Sequence, residues 1–227
     1  MLAMLAGAVA AAVAVGVLVV IQRAHVRRVG EERRALLDGA EALLDDAEVT
    51  QHGIGHPALT GTLDGRRVRA ELVADTLMMR RLPRLWIVVS VFAPLEAAPV
   101  DIVLRPQELD TVSSGGRFPC EHPVPAGWPD PARIATPTPA APDLAPFEAA
   151  GALLHDPRTK EILAGAGGVR VVHELARGEV GLWRVVRRAK FTVDGPLGRL
   201  ADALAAATTL LAALDAPPVT ADMEIST

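Results

Sequence analysis

Residues 58–74 read ALTGTLDGRRVRAELVA, and their pattern decides the class of the fold. Asp64-Gly65 stands between two runs of strand-forming residues. That pair tolerates the positive φ angles of a tight primed turn, so Ala58–Leu63 and Arg66–Ala74 are expected to form a β-hairpin. Val68, Ala70, Leu72 and Ala74 alternate with Arg67, Arg69, Glu71 and Val73, which gives the second arm one buried and one wet face. Just downstream, Leu85–Phe92 (LWIVVSVF) is a continuous apolar run and reads as a central buried strand, and Val100–Leu104 is a further short strand.

Working outward, residues 106–146 change character. Prolines fall at positions 106, 119, 123, 125, 129, 131, 137, 139, 142 and 146. Each removes a backbone donor, so this segment is expected to be a long loop holding no regular helix and no sheet ladder beyond an edge. After it, Ala145–His155 and Asp156–Ala164 read as two helices, the second stopped by Gly165, Gly167 and Gly168. Val169–Leu175 and Glu179–Val186 read as a second hairpin around Arg177-Gly178. A closing helix is expected from Pro196 to Leu214, with Asp194 placed to cap it and Leu197, Leu200, Leu204, Ala207 and Leu211 along one stripe. Hairpin connections imply an antiparallel sheet, hence an α+β class with a long C-terminal helix.

Towards the N-terminus, residues 2–21 (LAMLAGAVAAAVAVGVLVVI) carry no charge. At 1.5 Å per residue such a helix covers about 30 Å, the thickness of a bilayer core. No basic residue precedes the run, which is unlike a cleaved signal peptide. It ends directly in Gln22, Arg23, His25, Arg27 and Arg28. The three arginines are the membrane-proximal basic residues, and they place the C-terminal side of the span in the cytoplasm. The organisation expected is a transmembrane anchor over 1–22, an amphipathic juxtamembrane helix over 23–50 and a β-rich block over 51–105. The proline-rich loop (106–146), an α/β hairpin-helix part of the same domain (147–214) and a disordered tail (215–227) follow. Ala3, Gly7 and Ala11 share one face of the span, a small-residue pattern through which a homodimer would pack.

The composition narrows the function classes. Of 227 residues, half are hydrophobic, the net charge is −4, and there are 3 Trp, 4 Phe and no Tyr. An acidic, aromatic-poor chain is a poor candidate for nucleic acid, which wants basic patches and stacking rings. Lys160 and Lys190 are the only lysines, and the richness in Ala, Arg and Pro suits a GC-rich bacterial genome. The single cysteine, Cys120, excludes an intramolecular disulfide and a CxxC redox or metal pair.

Chemistry-bearing motifs are sparse. His52 and His56 bracket QHGIGH, and with Cys120 and His122 they are the weak candidates for a metal site, having the ligand types zinc takes. Solvated loop histidines are the plainer reading, because Gly53 and Gly55 break the helix that would align His52 with His56. Cys120 beside His122 lacks the spacing of an activated nucleophile. Gly165, Gly167 and Gly168 precede a strand rather than a helix, so they do not cradle a phosphate and read as a turn. Two basic runs, Arg80/Arg81/Arg84 and Arg184/Arg187/Arg188/Lys190 beside Trp183, would face anionic lipid or guard a strand edge.

The stretches GTLDGRRVRAEL, LWIVVSVF and GVRVVHELARGEVGLWRVVRRAKF resemble those of bacterial single-pass membrane proteins in which a short span precedes an α+β domain. The resemblance covers most of residues 57–214 and implies no activity. The expectation is therefore an inner-membrane protein with one span and a cytoplasmic domain. Its partners would be the lipid bilayer and an unidentified protein, with no cofactor and no catalytic residue assigned. It would act as a binding or scaffold module. The alternatives are an enzyme or accessory subunit with a histidine-containing pocket, and an exported envelope domain.

Overall fold

A computed structural model describes residues 2–77, 82–113, 117–179 and 189–215; for residues 2–12 and Ala149 it describes the backbone alone. Helix α1 (Leu2–Arg34) leads into two 3-10 turns, Ala35–Leu37 and Ala40–Leu43. The strands are β1 (Asp45–Thr50), β2 (Ala58–Leu63), β3 (Arg66–Asp75), β4 (Arg84–Phe92), β5 (Val100–Leu104), β6 (Cys120–His122), β7 (Ala132–Thr136), β8 (Thr159–Gly165) and β9 (Gly168–Arg177). Helices α2 (Ala145–Ala149) and α3 (Gly151–His155) precede β8, and α4 (Pro196–Asp215) closes the described chain.

The strands form one nine-stranded sheet in the order β1-β2-β3-β4-β9-β8-β5-β7-β6, and every pairing is antiparallel. The β2–β3 hairpin pairs Leu63 with Arg66 across Asp64-Gly65, both at positive φ, as the turn chemistry requires. Strand β4 lies between β3 and β9, and Leu85 to Val89 are all buried, which accounts for its unbroken apolar run.

The two faces of the sheet are covered differently. Leu85, Ile87, Val89 and Val91 of β4, with Val169, Val171 and Leu175 of β9, face the main core. Helix α4 packs there through Leu200, Ala203, Leu204, Ala207, Leu210 and Leu211, beside Phe147 and Leu154. The opposite face carries a smaller cluster of Trp86, Val88 and Val172, and Val112 from the loop after β5 covers it.

Four expectations are corrected. The helix expected over 23–50 ends at Arg34; Gly39 takes a left-handed φ of 79°, and Asp45–Thr50 pairs with β2 instead. The helical spacing of Leu36, Leu37, Ala40, Leu43 and Leu44 is used by the 3-10 turns, which bury Leu37, Ala40 and Leu44. The helix expected over Asp156–Ala164 is strand β8. Asp156 and Pro157 make a turn in which Asp156 accepts from the Arg158 and Thr159 amides at 2.8 and 3.0 Å, and tertiary pairing overrides the helix propensity of KEILA. The proline-rich segment contributes β6 and β7, and β7 is bonded on both sides because ARIAT has no proline and sits between Pro131 and Pro137. The second hairpin is β8–β9, turning at Ala166-Gly167 and not at Arg177-Gly178; the glycine group is thus a hairpin turn and not a helix cap. Residues 180–188, which hold most of the arm expected over Glu179–Val186, lie outside the described residues, as do 216–227 of the tail.

Candidate functional site

The histidine and cysteine candidates do not converge. His52 and His56 follow β1, at one edge of the sheet, whereas Cys120 and His122 lie on β6, at the other. His122 Nε2 is 2.6 Å from the Thr136 hydroxyl on β7. His56 stands edge-on to Phe191, and burial together with the nearby Arg33 guanidinium pushes its pKa down to about 4. Among the described residues, no three His, Cys, Asp or Glu side chains come together as a metal site would need.

The QHGIGH turn has a different partner. Gln51 Nε2 donates to Gly30 O at 3.0 Å and to Gly55 O at 2.8 Å, and Arg33 donates to Ile54 O. These bonds tie the last turns of α1 to the domain. Further up the same helix, Arg23, Arg27 and Arg28 are exposed, and so is the apolar stretch before them. Val13, Val15, Val17, Leu18, Val19, Val20 and Ile21 are 44–66% exposed.

The loop-covered face of the sheet carries a buried charge layer that sequence reading missed. Lys160 is a bulge residue of β8, and its ammonium donates to Leu104 O, Arg105 O and Glu108 O at 3.2, 2.8 and 2.9 Å, with Asp110 Oδ2 at 3.2 Å. All four neighbours are acceptors, so the group is an ammonium, even though burial lowers its pKa against the pull of Asp110 and Glu108. Arg84 pairs with Glu108 at 2.5 Å and Glu174 at 3.3 Å and lies over the Trp86 ring, so it is an internal ion-pair residue and not the lipid-facing cation of a basic run. Arg80, Arg81, Arg184, Arg187 and Arg188 lie outside the described residues, and Lys190 pairs with Glu179 at 3.2 Å. With its donors saturated, Lys160 is a staple for the 105–113 loop, not a nucleophile.

On the helix-covered face, the Thr159 hydroxyl is 3.4 Å from His173 Nδ1, and His173 Nε2 is 3.8 Å from Asp156. The order resembles a nucleophile–base–acid relay, but Thr159 is fully buried, so no substrate reaches its oxygen.

A place where a small molecule fits lies at the β8–β9 hairpin. Cross-strand register puts Ser90, Arg170 and Leu163 in one row of the loop-covered face and Phe92, Gly168 and Gly165 in the next. Gly165 and Gly168 face each other across the hairpin; a Cβ on Gly165 would touch Pro99, and one on Gly168 would run into the backbone of β4. Beside them lies a cavity of about 440 Å³, walled by Phe92, Phe118 and Pro99, with Arg117 also lining it. Arg170 is committed: it pairs with buried Glu161 and donates to Val112 O at 2.6 Å. Gly168 is required by its backbone, since a Cβ at its φ of 125° would collide with Val91 O. The sequence signal was the glycine group itself. What it left open was the strand assignment that turns Gly165 and Gly168 towards one face. No protein-family model, no curated protein and no solved structure matches this chain, so its function is argued from these sites alone.

Proposed function

We propose that the protein is a single-pass bacterial membrane protein whose α+β domain is a non-enzymatic binding or scaffold module at the cytoplasmic face of the inner membrane. The observation that carries this reading is the exposure of Val13–Ile21 in the uncharged first part of α1, while the bonds that Gln51 and Arg33 make between α1 and the domain lie near its C-terminal end. A helix that is hydrophobic all round is stable in lipid and not in water. α1 is 33 residues long, about 50 Å, so about 20 Å extends beyond a 30 Å bilayer core. Arg23, Arg27 and Arg28 occupy the first part of that extension, as the cytoplasmic side of a span prefers. The bonds from Gln51 and Arg33 then fix the domain to the end of the helix without a flexible linker.

Binding is favoured over turnover by the state of the domain's titratable groups. Lys160, Arg84 and Arg170 are held by carboxylates and carbonyls, and His52, His56, His122 and His173 are dispersed over both edges and the core. The test is a pair of reporter fusions after Thr227, one to alkaline phosphatase and one to a fluorescent protein, with membrane fractionation. A fluorescent, phosphatase-silent product in the membrane pellet is expected. Phosphatase activity overturns the orientation and makes an envelope role the reading, and a product in the soluble fraction overturns the anchor.

A further inference from the structure

We propose that the hollow at the β8–β9 hairpin is a binding site for a small aromatic carboxylate. This rests on the reading of the domain as a binding module and names its ligand. Gly165 and Gly168 pair across the hairpin and contribute backbone to the lining, while Ser90, Arg170 and Leu163 form the adjoining row. Phe92 and Phe118 supply ring walls, and the Arg67 guanidinium lies 4.7 Å from the Phe92 ring centroid, which holds that ring in place. Two phenyl rings lining one hollow suit a planar apolar group, which meets such rings by offset or edge-on contact.

The polar side is set by charge. Arg170 is neutralised by Glu161, whereas Arg117 lines the cavity with no ion pair among the described residues. The Ser90 hydroxyl lines it as well, with no hydrogen bond to a described residue. One uncommitted guanidinium and one hydroxyl beside apolar walls complement a single carboxylate on a ring. The cavity of about 440 Å³ lies within the range of small-molecule sites.

The experiment uses the full chain in detergent micelles, with phenylacetate as the probe and phenylacetamide as its neutral counterpart, read by calorimetric titration. Phenylacetate is expected to saturate and to bind about tenfold or more tightly than the amide, since a guanidinium–carboxylate pair adds at least that factor. Arg117→Ala should reduce phenylacetate to the level of the amide. Gly167 also lines the cavity, and a Cβ there meets nothing within 4 Å, so Gly167→Leu should fill the space and abolish binding of both probes. Circular dichroism of each variant checks that the fold is kept; should Gly167→Leu misfold, the amide and Arg117→Ala comparisons still decide. Equal affinity for the two probes, no saturation by phenylacetate, or an unchanged affinity in Arg117→Ala overturns the proposal. Vesicle flotation of the same preparation reads the anchor separately, so a protein that floats but does not bind phenylacetate refutes the ligand and not the membrane reading.

Discussion

The ammonium of Lys160 lies 3.2 Å from Asp110 Oδ2, and both side chains are almost wholly buried. The pair is the centre of the joint between β8 and the 105–113 loop, because the same ammonium also holds the carbonyls of Leu104, Arg105 and Glu108. Removing the cation would leave a buried carboxylate and three carbonyls facing an apolar gap. Lys160→Met should therefore cost about 3–5 kcal/mol of stability, visible as a lowered urea midpoint. Lys190→Met, which breaks the exposed pair with Glu179, should cost less than about 1 kcal/mol. Equal losses for the two variants would show that the Lys160 cluster is not the joint described.

Acid should weaken the fold in two stages. His56 takes up a proton at about 4 when folded, against 6.5 for the free side chain, because burial and then Arg33 oppose its charge. Between those two values the unfolded chain holds more protons, so stability rises with pH across the window and is lost as the pH falls from 6.5 towards 4. Burial pushes Asp110 and Glu108 upward, but hydrogen bonds from Ser113 to Asp110 and from Arg84 to Glu108, with nearby cations, leave both below their ordinary 3.8 and 4.5. Their contribution is present above those values and is lost below them. His56→Gln should shrink the first stage, to which His173, also lowered by burial, contributes as well, and leave the second. Urea midpoints at pH 7, 5.5, 4.5 and about 3 measure both stages, and parallel curves for variant and parent between pH 7 and 4.5 would remove His56 as a cause of the first.

The elements that were legible in the sequence are those whose signal is local. Asp64-Gly65 carries its turn type in two residues, the LWIVVSVF run can only sit between covered faces, and the stripe of Leu200, Leu204 and Leu211 fits one helix. What was not legible depends on distant partners. KEILA favours a helix in isolation and became β8 because β5 and β9 offer ladders on both sides. ARIAT was hidden among prolines, and β1 among leucines at helical spacing, for the same reason. The candidate site suffered most. Arg117, Ser90 and Gly165 are 27 to 75 residues apart in the chain, and only the strand order brings them to one hollow. The pairing of Arg170 with Glu161, which leaves Arg117 as the uncommitted cation, follows from the hairpin register and from no motif.

The turn of that hairpin gives a sharp contrast between neighbouring glycines. At Gly168 a Cβ would collide with Val91 O and press on the Ala93 nitrogen at 2.9 Å, with a φ that L residues rarely adopt. Gly168→Ala should therefore destabilise by about 3 kcal/mol or more, since backbone strain and a steric clash act together. Gly167→Ala meets open space at ordinary φ and should stay within about 0.5 kcal/mol of the parent. Thermal melts of the two variants test the register of β8 with β9 directly. Similar melting points would mean that the hairpin turns elsewhere.

Two apolar helices lie at opposite ends of the described chain, and they bury their surfaces in different ways. Among the described side chains, α4 is the one helix long and apolar enough to cross a membrane, yet its Leu200, Leu204, Leu210 and Leu211 are buried at 0–3% exposure. On α1 the described apolar residues Val13 to Ile21 are exposed. A charge should consequently do different damage in each. Aspartate near the centre of a span costs about 2.5–3.5 kcal/mol of insertion, so Val13→Asp/Val17→Asp should move the protein from the membrane pellet to the supernatant with its β-sheet circular dichroism intact. Leu204→Asp should do the reverse, unfolding the domain by burying a charge while leaving it in the pellet. If the α1 double variant stays in the pellet as a folded protein, lipid is not what covers Val13–Ile21. The exposed surface of α1 would then belong to a protein partner.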